Sequence, residues 1–589
     1  MENVMNNDSQ QTVAEAIAAA LQRHGVTEIF GQSIPAPVVQ AGEDLGIRQV
    51  FYRTENAAGA MADAAARLRN RISVVAAQNG PAATLLVAPM AEALAASVPL
   101  LALVQDVPER DRDRNAFQEL DHFALFSGVS KWTRRIETPE RAIDYVDMAI
   151  AEATSGRPGP VVVLIPRDLM TLPAATLPHP RTHRLGHFPL DRMRAEREAI
   201  AEAATALAEA ERPVVIAGGG VHLSGAVDAV VTLQELAAVP VATTNMGKGS
   251  VSELHELSLG VAGNIAGEYG PAHGALDLVT KADLILLIGT RTNENGTNGW
   301  TQYPSAARIL QIDISPDEPG RTYEALRLVG DVRATVDELI AELRLRDLGK
   351  RHGQRAKIAA RIAAGKRAFR ERNRDRMSEN DVTPLRPERM LAALDAQLTG
   401  DDIVVTDASY SSIWATGFLT AQQPGQRFIV PRGIAGLGWG LPYALGAKVA
   451  FPERRVIAIV GDGGFAHCWS EMETAIREDL PVTVILLNNS RLGFQANYDM
   501  FVWGRTSSAV EFADVDHVAV ARACGANAIR VEHAEELDSA LAVALAADRM
   551  TLIDLVIEPN AFPPVSAWDG AGDRVIAPVP AVRPGAGRA

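Results

Sequence analysis

Cysteine is scarce. The 589 residues hold two, Cys468 and Cys524. That excludes a disulfide framework and points to a reducing compartment, the cytoplasm. Positive charge is in deficit, with 57 Lys plus Arg against 72 Asp plus Glu and a formal net charge of -15. General nucleic-acid binding needs a basic footprint, so it is excluded as the main role. Long apolar runs are missing too. The most apolar stretch, Pro81 to Val104, is interrupted by Glu92, Pro89 and Pro99. A membrane span needs about 20 uninterrupted apolar residues, so this stretch reads as buried helix followed by buried strand. The first eleven residues are polar and lack the apolar core of a signal peptide. No Gly-x-x-x-x-Gly-Lys-Ser/Thr loop occurs, which disfavours a nucleotide hydrolase.

What is there is ordinary for a globular chain: 47% hydrophobic and 22% charged residues. The length suits two to four domains, each with its own core. Short apolar runs bounded by Gly or Pro alternate with longer helical patterns, the signature of parallel α/β sheets. The fold class expected is α/β, with three doubly wound parallel-sheet domains. The expected units are a tail at 1–11, a first domain at 12–172, a second at 190–346, a third at 384–562 and a tail at 563–589. Residues 347–383 carry a run dense in Lys and Arg. In an acidic chain this reads as a solvated linking helix more readily than as an anion-binding patch.

The strongest chemical signal lies in the third unit. The apolar strand Val456 to Val460 ends in Gly461-Asp462-Gly463-Gly464, and the strand Val482 to Leu487 ends in Asn488-Asn489. Asp462 and Asn489 stand 27 positions apart, room for one strand–helix–strand crossover. Adjacent parallel strands therefore deliver both side chains to one carboxyl edge, where open α/β sheets bind ligands. A carboxylate and an amide oxygen are hard ligands suited to Mg²⁺, which also takes phosphate oxygens and water. Glycines permit close backbone approach, and the next helix N-terminus favours anions. The pair reads as an Mg²⁺–diphosphate clamp.

This pattern resembles the thiamine-diphosphate (ThDP) enzymes, in the acetolactate synthase / pyruvate oxidase branch, and the likeness extends over almost the whole chain. It implies a pyrimidine-binding domain, a central domain and a diphosphate-binding domain. It implies that Asp462, Asn489 and the main-chain carbonyl of Arg491 hold the metal. Gly436-Leu437-Gly438-Trp439-Gly440 is similar to a segment in which a bulky apolar side chain wedges beneath the cofactor. Leu437 takes that place, and the Ala435 carbonyl faces the aminopyrimidine. Ser409, Tyr410 and Ser411 match a second turn that contacts the diphosphate. In Tyr52-Arg53-Thr54-Glu55, the resemblance makes Glu55 the acid that hydrogen-bonds the aminopyrimidine ring nitrogen. That role needs a protonatable carboxyl in a dry pocket. Taken alone, Glu55 reads as a favourable charge in a helix's first turn.

Gln32, Gln78 and Gln118 occupy turns that face the substrate in the family. Amides there can orient a carbonyl or carboxylate without fixed charge, or simply cap loops. Gly218-Gly219-Gly220 and Gly289-Thr290-Arg291 resemble the central domain that binds FAD in this branch, with Arg291 toward the diphosphate. The glycines lack the Gly-x-Gly-x-x-Gly spacing, so FAD-loaded and empty-scaffold readings both stay open. The implied reaction is decarboxylation of a 2-oxo acid followed by carboligation. The alternative is a ThDP-dependent decarboxylase, lyase or dicarbonyl hydrolase. Gln32, Gln78-Asn79 and the Gly493-Phe494-Gln495 run, which has no tryptophan, depart from the acetolactate synthase pattern and keep that alternative open. The resemblance also implies a homodimer or homotetramer with active sites at the subunit interface.

Overall fold

The computed structural model describes residues 11–175, 179, 181–379 and 383–568. Most of the two predicted tails lies outside the described residues, as do 176–178, 180 and 380–382 in the two links.

Three six-stranded sheets follow one another, and every pair of neighbouring strands is parallel. The first holds β1 (Glu28–Phe30), β2 (Arg48–Val50), β3 (Ser73–Ala77), β4 (Leu100–Asp106), β5 (Trp132–Arg135) and β6 (Val161–Pro166). The second holds β7 (Pro213–Ala217), β8 (Val241–Thr243), β9 (Ser258–Val261), β10 (Leu284–Ile288), β11 (Arg308–Asp313) and β12 (Leu326–Val329). The third holds β13 (Ile403–Thr406), β14 (Phe428–Ile429), β15 (Val456–Gly461), β16 (Thr483–Asn488), β17 (Asn527–Val531) and β18 (Thr551–Val556). Central strands are continuous Val/Ile/Leu runs because helices cover both faces. β10, for instance, is buried at all five positions.

The first and third sheets share one topology. Their orders are β2-β1-β3-β4-β6-β5 and β14-β13-β15-β16-β18-β17. Equivalent helices, Glu55–Arg69 after β2 and Gly440–Ala450 after β14, pack on each other and join the two domains. The approach is close: a Cβ on Gly446 would stand 2.1 Å from the Met61 carbonyl oxygen. Small residues dominate the first of these helices (ENAAGAMADAAARLR), which lets the backbones meet.

The structure departs from the sequence reading in two ways. Five strands were not anticipated, β5, β9, β12, β14 and β17, and all five lie at sheet edges. The segment expected as one helix from Pro81 to Ala95 is two, Pro81–Leu85 and Val87–Ala96, with Pro89 in the second's first turn, where a missing N–H costs nothing. Residues 563–568 lie against the second domain: Gly267 N donates to the Pro564 carbonyl at 3.2 Å, and Ser566 N to that of Asn264 at 2.8 Å. The basic run forms the helix Gly349–Arg372. Its Arg355 meets Glu235 at 2.8 Å and Glu256 at 2.7 Å, so these cations answer carboxylates of the second domain. Among the described residues no helix is long and apolar enough to cross a membrane.

Candidate active site

The carboxyl ends of β13, β15 and β16 enclose a cavity of about 440 Å³, within the range of small-molecule sites. Asp462, Gly463 and Gly464 wall it after β15, and Asn489 and Arg491 after β16. Leu437 and Ala435 face it from one loop, and Ser409, Tyr410 and Ser411 from the turn after β13. The strand spacing placed Asp462 and Asn489 at one edge and the resemblance implied the others, and all of them line this one space.

Three polar groups converge at its floor. The Asn489 side-chain amide lies 2.9 Å from the Arg491 carbonyl oxygen and 3.2 Å from Asp462 Oδ1. Its NH₂ can donate to both oxygens, or, turned about, its oxygen can join them around a cation. Adjacent ligands of an octahedral Mg²⁺ at about 2.1 Å stand about 3.0 Å apart. Asp462 Oδ2 is buried without a hydrogen-bond partner, a costly state for a carboxylate, and that favours the cation. Burial pushes Asp462 up to about 7, against the Gly463 N–H, which donates to it at 3.0 Å. Among the described residues no three His, Cys, Asp or Glu side chains cluster. The donor set here is one carboxylate, one amide and one carbonyl. Its low charge and open side leave positions for phosphate oxygens.

Asp407 organises the cavity's roof, and its role was not read from the sequence. It is buried, and burial lifts it to about 6. Gly438 N donates to both its oxygens at 3.1 Å, and Trp439 N donates at 3.4 Å. This pins the Leu437 loop to the end of β13. Gly464 is required here, since a Cβ would stand 2.3 Å from Asp407 Oδ2. Leu437 is 37% exposed, an apolar side chain held open toward the cavity. Ser411 Oγ donates to the Ala408 carbonyl at 2.8 Å, so its hydroxyl proton is engaged in the turn. Tyr410 OH accepts from Asn497 Nδ2 at 2.7 Å.

The first domain assembles its own edge. Glu55 opens the Glu55–Arg69 helix, whose N-cap Thr54 accepts from Ala57 N at 3.3 Å. Gln32 Nε2 donates to the Tyr52 carbonyl at 3.1 Å, beside that turn. Gln78 lines a separate cleft of about 380 Å³ with Asn79, Gln105 and Phe117. Asn79 Nδ2 donates to the Gln118 carbonyl at 3.0 Å, and Gln118 Oε1 is buried without a partner. No described residue of 12–172 lines the Asp462 cavity. Within one chain, then, Glu55, Gln32, Gln78 and Gln118 belong to one edge, and the metal-type donors to another.

Arg291 lines neither space. It faces a third cavity, of about 320 Å³, with Gly219, Gly220, Gly289 and Asp313. Burial lowers its pKa. Asn295, Arg432 and Ala435 line this cavity and the Asp462 cavity alike, so the two adjoin. Arg432, whose Nη2 donates to Ser412 Oγ at 2.6 Å, is a half-buried cation at the junction that the sequence reading passed over.

Glu92 and Glu471 were also missed. Each is buried and accepts backbone N–H groups from the other terminal domain. Hydrogen bonds to a charged acceptor contribute about 1.5–3 kcal/mol each. Nothing local marks such residues, because the groups they cap lie hundreds of positions away.

Comparison with known families gives three matches along the chain. The thiamine pyrophosphate enzyme N-terminal TPP binding domain matches residues 11–125, the central domain 200–339 and the C-terminal TPP binding domain 407–555. A "Probable acetolactate synthase large subunit" of Methanocaldococcus jannaschii is 33% identical over 96% of this chain and 95% of its own. An "Acetolactate synthase" of Mycobacterium bovis is 30% identical, covering 95% and 90%. The "Acetolactate synthase isozyme 3 large subunit" of Escherichia coli (strain K12) is 30% identical, covering 92% and 94%.

Proposed function

The chain belongs to the thiamine pyrophosphate enzymes, in their acetolactate synthase branch, and on that premise we propose that it removes CO₂ from a 2-oxo acid and joins the remaining fragment to a second carbonyl compound. The observation that carries this is the convergence of Asp462, Asn489 and the Arg491 carbonyl beneath Leu437. Those three oxygens would hold Mg²⁺ and, through it, a diphosphate, with Ser409 and the Tyr410–Phe418 helix N-terminus on the far side. Bound ThDP supplies the electron sink for decarboxylation. Leu437 would wedge beneath it, and the Ala435 carbonyl would accept from its amino group.

Glu55 would hold a proton at the aminopyrimidine ring nitrogen. No described residue of 12–172 lines the cavity of its own chain, which favours delivery by a second copy and supports a homodimer or larger homo-oligomer with shared sites. Exposed Phe117 (82%) and Leu85 (47%) on the first domain support such a contact. Gln32, Gln78 and Gln118 would arrive with Glu55 and orient the substrate's polar groups. The Arg291 cavity suits FAD: Gly219, Gly220 and Gly289 line it with backbone, and Asp313, ending β11, suits a ribose diol. Visible flavin absorbance in the purified protein checks this, and a colourless preparation after flavin loading contradicts it. Two free cysteines support a reducing cytoplasm.

The test is turnover of pyruvate with ThDP and Mg²⁺, with products resolved. Acetolactate is expected. Acetaldehyde and CO₂ without acetolactate would instead support the decarboxylase, lyase or hydrolase reading that the amides Gln32, Gln78 and Asn79 keep open.

A further inference from the structure

The shared topology of the first and third domains has a reciprocal consequence at their junction. Glu92 sits in the helix after β3, and Glu471 in the helix after β15, the equivalent strand. Each crosses to the other domain. Glu471 is fully buried and accepts from Arg53 N at 3.1 and 3.2 Å and from Thr54 N at 3.1 Å. Thr474 Oγ1 orients it at 2.8 Å. Those two N–H groups immediately precede Glu55. Glu478 adds a further hold, accepting from Phe51 N at 3.2 Å. Glu92 is 1% exposed and accepts from Gly433 N at 2.7 Å, Ile434 N at 2.6 Å and Ala435 N at 3.3 Å. Arg67 meets it at 3.2 Å. Those groups lie two to four residues before Leu437.

We infer that Glu471 is a positioning residue for Glu55, and that Glu92 is its counterpart for the loop carrying Ala435 and Leu437. This rests on the reading of Glu55 and Leu437 as cofactor-facing groups. Each carboxylate takes up otherwise unpaired N–H groups of a strand-to-helix turn, so it fixes where the turn's working side chain points. Geometry of this kind matters steeply: a displacement near 1 Å at a reacting group can cost about 100-fold. The two glutamates act on different parts of the site, so their loss should show different signatures. A merely structural role would lower both readouts together.

The experiment uses the holoenzyme with ThDP and Mg²⁺. It measures hydrogen–deuterium exchange at the thiazolium C2 beside the ThDP concentration needed for half-saturation. Glu471→Gln should slow exchange by at least about tenfold with half-saturation within twofold of the parent. Glu92→Gln should raise half-saturation by about tenfold and slow exchange less once saturated. Thr474→Val, a milder change, should slow exchange in the same direction as Glu471→Gln, and it decides the matter if Glu471→Gln does not fold. Glu55→Gln is the control. If it suppresses exchange while Glu471→Gln and Thr474→Val exchange at the parent rate, the inference is overturned and the underlying reading stands. If Glu55→Gln itself exchanges normally, that reading fails. Equal loss of both readouts in both glutamate variants also overturns the inference.

Discussion

At the scale of single residues, Asp462 carries the metal argument. Its carboxylate is buried, one oxygen has no partner, and burial raises it to about 7. Asp462→Ala should abolish Mg²⁺-dependent retention of ThDP on gel filtration, and unchanged retention would reject the clamp. The pH dependence has a definite sign. A metal binds the deprotonated form, so below about 7 Mg²⁺ must displace a proton. Apparent Mg²⁺ affinity should fall about tenfold per pH unit below that point and level off above it. Calorimetric titration of the ThDP-free protein between acid and neutral pH checks this, and a flat profile would contradict it. Asp462 and Asn489 were legible in the sequence because their motif is local and its spacing has a geometric meaning. Asp407, Glu92, Glu471 and Arg432 were not. An isolated carboxylate or guanidinium has no local signature when the groups it serves come from distant turns, and Glu92 stood out only as a break in an apolar stretch.

At the scale of elements, the central strands were legible because parallel strands covered on both faces read as unbroken apolar runs. The edge strands other than β2 were not. β5 reads Trp-Thr-Arg-Arg with one buried position, and β17 reads Asn-Ala-Ile-Arg-Val with one. These two have one neighbour and a wet flank and keep polar residues, whereas β9 and β14 are buried throughout and only four and two residues long. The contact between the Glu55–Arg69 and Gly440–Ala450 helices was equally hidden, since it is a property of two distant segments. It depends on Gly446 lying against the Met61 backbone. Gly446→Ala should cost about 1–3 kcal/mol of stability and lower the thermal unfolding temperature. An unchanged temperature would show that the helices do not approach as described.

At the scale of the whole molecule, the first and third domains share one topology, and no described residue of the first lines the Asp462 cavity of the third. The central domain adds the Arg291 cavity, which adjoins the Asp462 cavity through Asn295, Arg432 and Ala435. The proposed chemistry therefore depends on assembly. Two inactive variants, Glu55→Gln and Asp462→Ala, can be denatured together, refolded as a mixture and assayed with pyruvate, ThDP and Mg²⁺. If each site draws its acid from one chain and its metal ligands from another, mixed dimers regain one intact site. Random pairing should then restore about a quarter of the parent activity. Activity no higher than the sum of the two variants alone would mean that the two halves never share a cofactor across subunits.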